Sequence, residues 1–137
     1  MACEYPSPPH PSLITPHQTL GKFFQPGEFI IGETGTSAFG LADSKLPSGA
    51  TMYNQAVYGS IVYATGAALG AFQAIRESSG GKYKRCILVT GEGSLHLTVQ
   101  TFADLLKLEL VPIVFVLNND GYTVERLIHG KEAYLSF

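Results

Sequence analysis

The chain has 137 residues, 45% of them hydrophobic and 15% charged, with a net charge of −2. That is enough for one buried core, and the tight basic cluster of Lys82, Lys84 and Arg85 reads as a solvated loop beside Gly80-Gly81 rather than as a nucleic-acid footprint. Nothing resembles a secretory leader or a run of ~20 apolar residues, so no membrane span is expected, and Cys3 and Cys86 read as reduced thiols of a cytoplasmic protein.

Residues 1–12 carry Pro6, Pro8, Pro9 and Pro11. They are expected to be a linker-like tail ahead of a single domain over residues 13–137. Thr15-Pro16-His17-Gln18 has the form of a capping box with proline at the first helical position. A short helix should run from there to about Phe24 and stop at Pro26-Gly27. Residues 28–32 form the first strand, which feeds the loop 33–37. Its threonines, glycine and serine suit a ligand or an ordinary turn equally well. Residues 46–57 read as irregular.

Gly59-Ser60-Ile61 then opens a helix rich in Ala and Gly, ended by Ser78-Ser79-Gly80-Gly81. Glycine in a helix interior costs about 1 kcal/mol against alanine. Gly66 and Gly70 are therefore expected to be compensated by tight packing. Residues 86–90 are an apolar run of strand length, stopped by Gly91-Glu92-Gly93-Ser94. A helix follows, with Leu95, Val99, Phe102 and Leu106 along one predicted face. Residues 113–117 form another β-rich run and lead into Asn118-Asn119-Asp120-Gly121. The last helix, over residues 122–129, presents Val124, Leu127 and Ile128 as its apolar side and stops at Gly130. Strands alternating with helices predict an α/β fold with a doubly wound parallel sheet.

In such a sheet both turns, GEGS and NNDG, leave the carboxyl ends of their strands on one edge, where open α/β sheets bind ligands. Gly91 and Gly93 let backbone approach an anion, and Ser94 adds a hydroxyl near a helix start. The Glu92 carboxylate would repel phosphate unless a cation lay between them. Amide oxygens of Asn118 or Asn119 and the Gly121 carbonyl complete an oxygen set suited to Mg²⁺. Each turn taken singly is also ordinary punctuation. What singles them out is their pairing across one strand-helix-strand crossover.

That pairing of G-[DE]-G-S with N-N resembles the diphosphate-binding motif of thiamine diphosphate enzymes. LNNDGYTVERLIHG, together with GETGTSAFG over residues 32–40, resembles pyruvate decarboxylase of the fungal type. The resemblance implies a thiamine diphosphate-binding fold, truncated at its C-terminus because the family's domain continues beyond this length. It implies a carbon–carbon lyase that decarboxylates a 2-oxo acid, pyruvate to acetaldehyde and CO2, with thiamine diphosphate and Mg²⁺ as cofactors. Glu92, Asn119 and the Gly121 carbonyl match the metal ligands. Gly93, Ser94 and the Thr36 hydroxyl match donors to the diphosphate, with Thr34 and Gly35 in the same loop. The Gly59 carbonyl matches the acceptor for the aminopyrimidine amine, and Ile61 the bulky residue that holds the cofactor bent. Ser60, Asp120, Tyr122, Thr123 and Val124 fall beside these as further cofactor-binding positions, and Glu125 matches the active-site glutamate.

The family more often has Asp where this chain has Glu92, so one extra methylene must be absorbed. His96 is expected at the surface or beside the cofactor, since Mg²⁺ prefers oxygen. The family's site also needs a pyrimidine-binding domain from another subunit, in a homo-oligomer, and its activating glutamate and paired histidines are not identifiable here. The isolated chain is therefore expected to be inactive. Two other expectations stand beside this one. The substrate could be indolepyruvate or a branched-chain 2-oxo acid, or the chain could be a non-catalytic piece that pairs with full-length subunits.

Overall fold

A computed structural model of the chain describes residues 14–55 and 57–130, and for residues 14–18 the backbone alone. The expected proline-rich tail, the capping side chains at Thr15 to Gln18 and residues 131–137 lie outside what is described. The elements run α1 Ile14–Phe23, β1 Glu28–Gly32, α2 Thr36–Ala42, β2 Thr51–Asn54, α3 Tyr63–Ser78, β3 Arg85–Gly91, α4 Glu92–Leu97, α5 Thr101–Lys107, β4 Ile113–Leu117 and α6 Thr123–His129.

The strands pair in the order β2-β1-β3-β4, and every pairing is parallel. Side chains alternate across a strand, so each central strand feeds two cores. Phe29, Ile31 and Leu88 pack on one face with Ala64, Ala68 and Phe72 of α3 and Leu105 of α5. Ile30, Ile87 and Val89 pack on the other with Leu20, Phe24 and Leu41. Helices thus cover both faces, as the doubly wound reading requires, and each fully buried Ile or Leu contributes about 1.5–3 kcal/mol. No helix among the described residues is long and apolar enough to cross a membrane.

The amino end of the sheet is pinned shut. Glu28 and Arg85 are register partners on β1 and β3. The buried Glu28 carboxylate takes a hydrogen bond and an ion pair from Arg85 and accepts from Gln25 N at 2.8 Å. The Arg85 guanidinium also lies 4.7 Å from the centre of the Phe23 ring. The carboxyl end carries the open loops.

Four local expectations change. Residues 46–57 hold the short edge strand β2, where a four-residue run gives alternation too little length to register. The loop after β1 turns into α2 at Thr36, entered through Gly35 at φ 101°. The helix expected through Leu95, Val99, Phe102 and Leu106 is two helices, broken at residues 98–100. Thr98 Oγ1 donates back to Ser94 O (3.4 Å), and Thr98 leaves helical geometry at φ −135°. Such back-bonding competes with the helix and bends it. The break resets the phase, so Leu105 is buried at 2% exposure while Leu106 is 77% exposed. Finally, a β-carbon at Gly66 or Gly70 would meet nothing within 4 Å. The glycines face outward, and it is Ala64 and Ala68 that pack on the sheet.

Candidate functional site

Strand order reverses between β1 and β3: the chain steps from β1 out to β2, then crosses back to β3 on the other side. Loops after β1 and β3 therefore diverge and leave a crevice at the carboxyl edge, the position where such sheets take ligands. A cavity of about 510 Å³ opens there. Its walls come from the ends of β1, β3 and β4, from the turn before α3, and from α2 and α6.

The first wall is the segment from Thr34 to Thr36, set close to the turn at Gly59. Thr34 Oγ1 donates to the Ser60 carbonyl at 2.9 Å. Gly59 turns at φ 60°, a left-handed conformation that glycine enters without steric cost. Beneath this wall Glu33 is 1% exposed. Its Oε1 accepts from Thr34 N at 2.9 Å and its Oε2 from Ala64 N at 3.3 Å. Burial pushes its carboxyl above the usual carboxylate range, and backbone N–H groups of Thr34, Ala64 and Val62 pull it back in part.

The opposite wall joins the two turns expected from sequence. Gly91 precedes α4, so Glu92, Gly93 and Ser94 form its first turn. Glu92 Oε1 accepts a hydrogen bond from Gly121 N at 2.7 Å, tying the turn after β3 to the turn after β4. Asn119 Nδ2 donates to Thr123 Oγ1 at 2.7 Å, which leaves Oδ1 as that amide's acceptor. Asn118 Oδ1 accepts from Asp120 N at 3.2 Å, an Asx-turn that holds the loop. A β-carbon at Gly93 would lie 2.6 Å from Cζ of Tyr122, so the ring rests directly on the glycine.

Of the expected residues, Glu92, Gly93, Ser94, Asn119 and Gly121 line the cavity together. So do Thr34, Thr36, Gly59 and Ile61 on one side and Tyr122, Thr123, Val124 and Glu125 on the other. Ser60 and Asp120 do not. The Ser60 carbonyl is occupied by Thr34, and the Asp120 carbonyl by Arg126, while Asp120 itself turns outward at φ 60°. Glu125 lies 3.3 Å from His129 Nε2, one helical turn away. His96 is exposed and is not among the residues that line the cavity. Sequence reasoning missed Asn54 and Phe39, which join the lining from β2 and α2, the two elements it did not foresee. It also missed Glu33, whose one sequence signal is a charged residue directly after the apolar run of β1.

The donor chemistry can be tested against a hard cation. The two turns bring to the cavity lining a residue with a carboxylate, Glu92, one with an amide oxygen, Asn119, and a glycine with a bare carbonyl, Gly121. That set fits Mg²⁺. The Gly121 hydrogen bond holds one oxygen of the Glu92 carboxylate.

The family described as thiamine pyrophosphate enzyme, C-terminal TPP binding domain, matches residues 31–133. Among curated relatives, pyruvate decarboxylase of Hanseniaspora uvarum is 49% identical over 114 residues, which is 83% of this chain. Pyruvate decarboxylase of Candida glabrata is 50% identical and pyruvate decarboxylase isozyme 1 of Saccharomyces cerevisiae 49%, each over the same share of this chain. The chain spans about 20% of the length of each of these relatives.

Proposed function

This chain belongs to the thiamine pyrophosphate enzymes, through their C-terminal TPP-binding domain, and from that premise we propose that it forms the metal- and diphosphate-binding part of a 2-oxo acid decarboxylase acting on pyruvate. The observation that carries this reading is the 2.7 Å bond from Gly121 N to Glu92, which brings both turns to one place. Glu92, the Asn119 amide oxygen and the Gly121 carbonyl would hold Mg²⁺. Gly93, Ser94 and Thr36 would meet the diphosphate, and the Gly59 carbonyl and Ile61 would set the pose of the rest. Thiamine diphosphate, when bound, supplies an electron sink for loss of CO2 from a 2-oxo acid. The chain's own contribution is to bind, to orient and to hold a proton at the Glu125 carboxylate.

The site is open on one side. Phe39 and Ile128 line the cavity yet are each 65% exposed. Large apolar groups exposed at the rim of an open cleft suit a covering partner. The reading supplies one, the pyrimidine-binding domain of another subunit in a homo-oligomer. A cytosolic location accords with the free thiol at Cys86.

Calorimetric titration of the chain with thiamine diphosphate, with and without Mg²⁺, tests the proposal. Binding should require the metal, and Glu92→Ala should weaken it at least ~10-fold. Metal-dependent binding that survives Glu92→Ala unchanged would remove Glu92 from the ligand set and the proposal with it.

A further inference from the structure

The turn that precedes α3 is under conformational strain. Val62, at the N-cap position of α3, has φ 76° and ψ −3°, which is left-handed backbone. A β-branched residue is a genuine outlier there, because its branched Cβ crowds the neighbouring backbone. Such residues persist where the surroundings over-determine them. On this chain the surroundings are the carboxylate of Glu33. That residue is buried at the top of β1, and its backbone N–H donates to the Val89 carbonyl at 2.8 Å, fixing it to β3. From that fixed point one carboxylate oxygen holds Thr34 N at 2.9 Å and the other reaches Ala64 N at 3.3 Å, two residues beyond Val62. Thr34 then returns a bond to Ser60 O at 2.9 Å. The result is a closed circuit: Glu33 to Ala64, along the chain to Ser60, across to Thr34 and back to Glu33.

We propose that Glu33 is a positioning residue whose buried carboxylate holds the left-handed turn at Val62 against the Thr34–Thr36 loop, and so sets where Gly59 and Ile61 stand across the cleft. It touches no ligand itself, since Thr34 and Ile61 line the cavity and Glu33 does not. The inference rests on the reading of the cleft as a thiamine diphosphate site. Its physical content is that one ionisable side chain ties the turn before α3 to the loop after β1. A carboxylate that merely capped α3 would lower stability when replaced and leave ligand affinity alone. A clamp would change affinity, and the change would be recoverable by letting the turn hold its shape without the clamp. Glycine at position 62 does this, because left-handed backbone carries no steric penalty for it.

The test uses the full chain with thiamine diphosphate and Mg²⁺ as probe, followed by calorimetry, with amide hydrogen exchange at Ala64 as a readout independent of any ligand. Glu33→Gln keeps the shape but replaces one acceptor oxygen with a donor. It should speed exchange at Ala64 and weaken binding about tenfold, in the range known for residues that support a ligand shell. Adding Val62→Gly to that variant should restore most of the affinity while exchange at Ala64 stays fast. Should Glu33→Gln fail to fold, Glu33→Asp, too short to reach both amides, should show the same pattern in milder form. Unchanged affinity in a folded Glu33 variant, or a loss that Val62→Gly leaves in place, would overturn the proposal. Absence of binding by the unaltered chain would instead sink the reading on which it rests.

Discussion

Gly93 and Tyr122 meet so closely that a single added methyl group would displace the ring. A β-carbon at Gly93 would fall within 3 Å of three atoms of the Tyr122 side chain, whose ring must then swing away from the cleft wall. Gly93→Ala is expected to weaken thiamine diphosphate binding roughly tenfold, and the same change made in a Tyr122→Ala background should cost much less. A double-mutant cycle read by calorimetry checks this, since contacting residues couple and distant ones add. Equal losses in both backgrounds would mean that the glycine matters for some other reason. Glu92, Asn119 and Gly121 were legible before any fold was known because turns announce themselves through residue type. Glu33 was not. What makes it distinctive is the burial of its carboxylate among three backbone N–H groups, and one of those, at Ala64 in α3, lies 31 residues further along the chain. The same holds for the contact between Gly35 and Val124, whose Cγ2 lies 3.8 Å from where a β-carbon would be.

Helices α4 and α5 show where pattern alone misleads. Leu95, Val99, Phe102 and Leu106 have the spacing of one continuous face, yet the turn at residues 98–100 rotates the second half. Leu105→Ala should therefore cost about 2–5 kcal/mol, since it empties part of a packed core. Leu106→Ala should stay within about 0.5 kcal/mol, as exposed positions do. Thermal or denaturant unfolding of the two variants decides the matter, and a larger loss at Leu106 would restore the unbroken helix. Strands β1, β3 and β4 were readable because each carries an apolar run between turn residues. Strand β2 was not, because it borrows its regularity from β1 through the register Phe29↔Thr51 to Gly32↔Asn54. Helix α2 hid for a related reason: Gly40 sits inside it and no side chain caps its start. Its place is fixed instead by contact, with Leu41 Cδ1 filling the space that a β-carbon on Gly32 would need.

At the scale of the molecule, the sheet closes its amino end with Glu28 and Arg85 and leaves its carboxyl end to the loops. The ion pair and the cavity thus lie at opposite ends of the same strands. The open rim at Phe39 and Ile128 makes a further expectation concrete. The purified chain, given thiamine diphosphate, Mg²⁺ and pyruvate, should release no acetaldehyde above background, and a coupled assay that detected steady release would show the cleft to be sufficient by itself. The general architecture was legible because alternation of strand and helix dictates it, whereas the crevice between β1 and β3 depends on strand order, which no local pattern encodes. One amide proton summarises the arrangement. The N–H of Gly121 rests on an oxygen of Glu92, so any cation that draws charge from that carboxylate must move its resonance. Of the 15 glycines in the chain, this one makes a built-in indicator, readable in a spectrometer without turnover, dye or label.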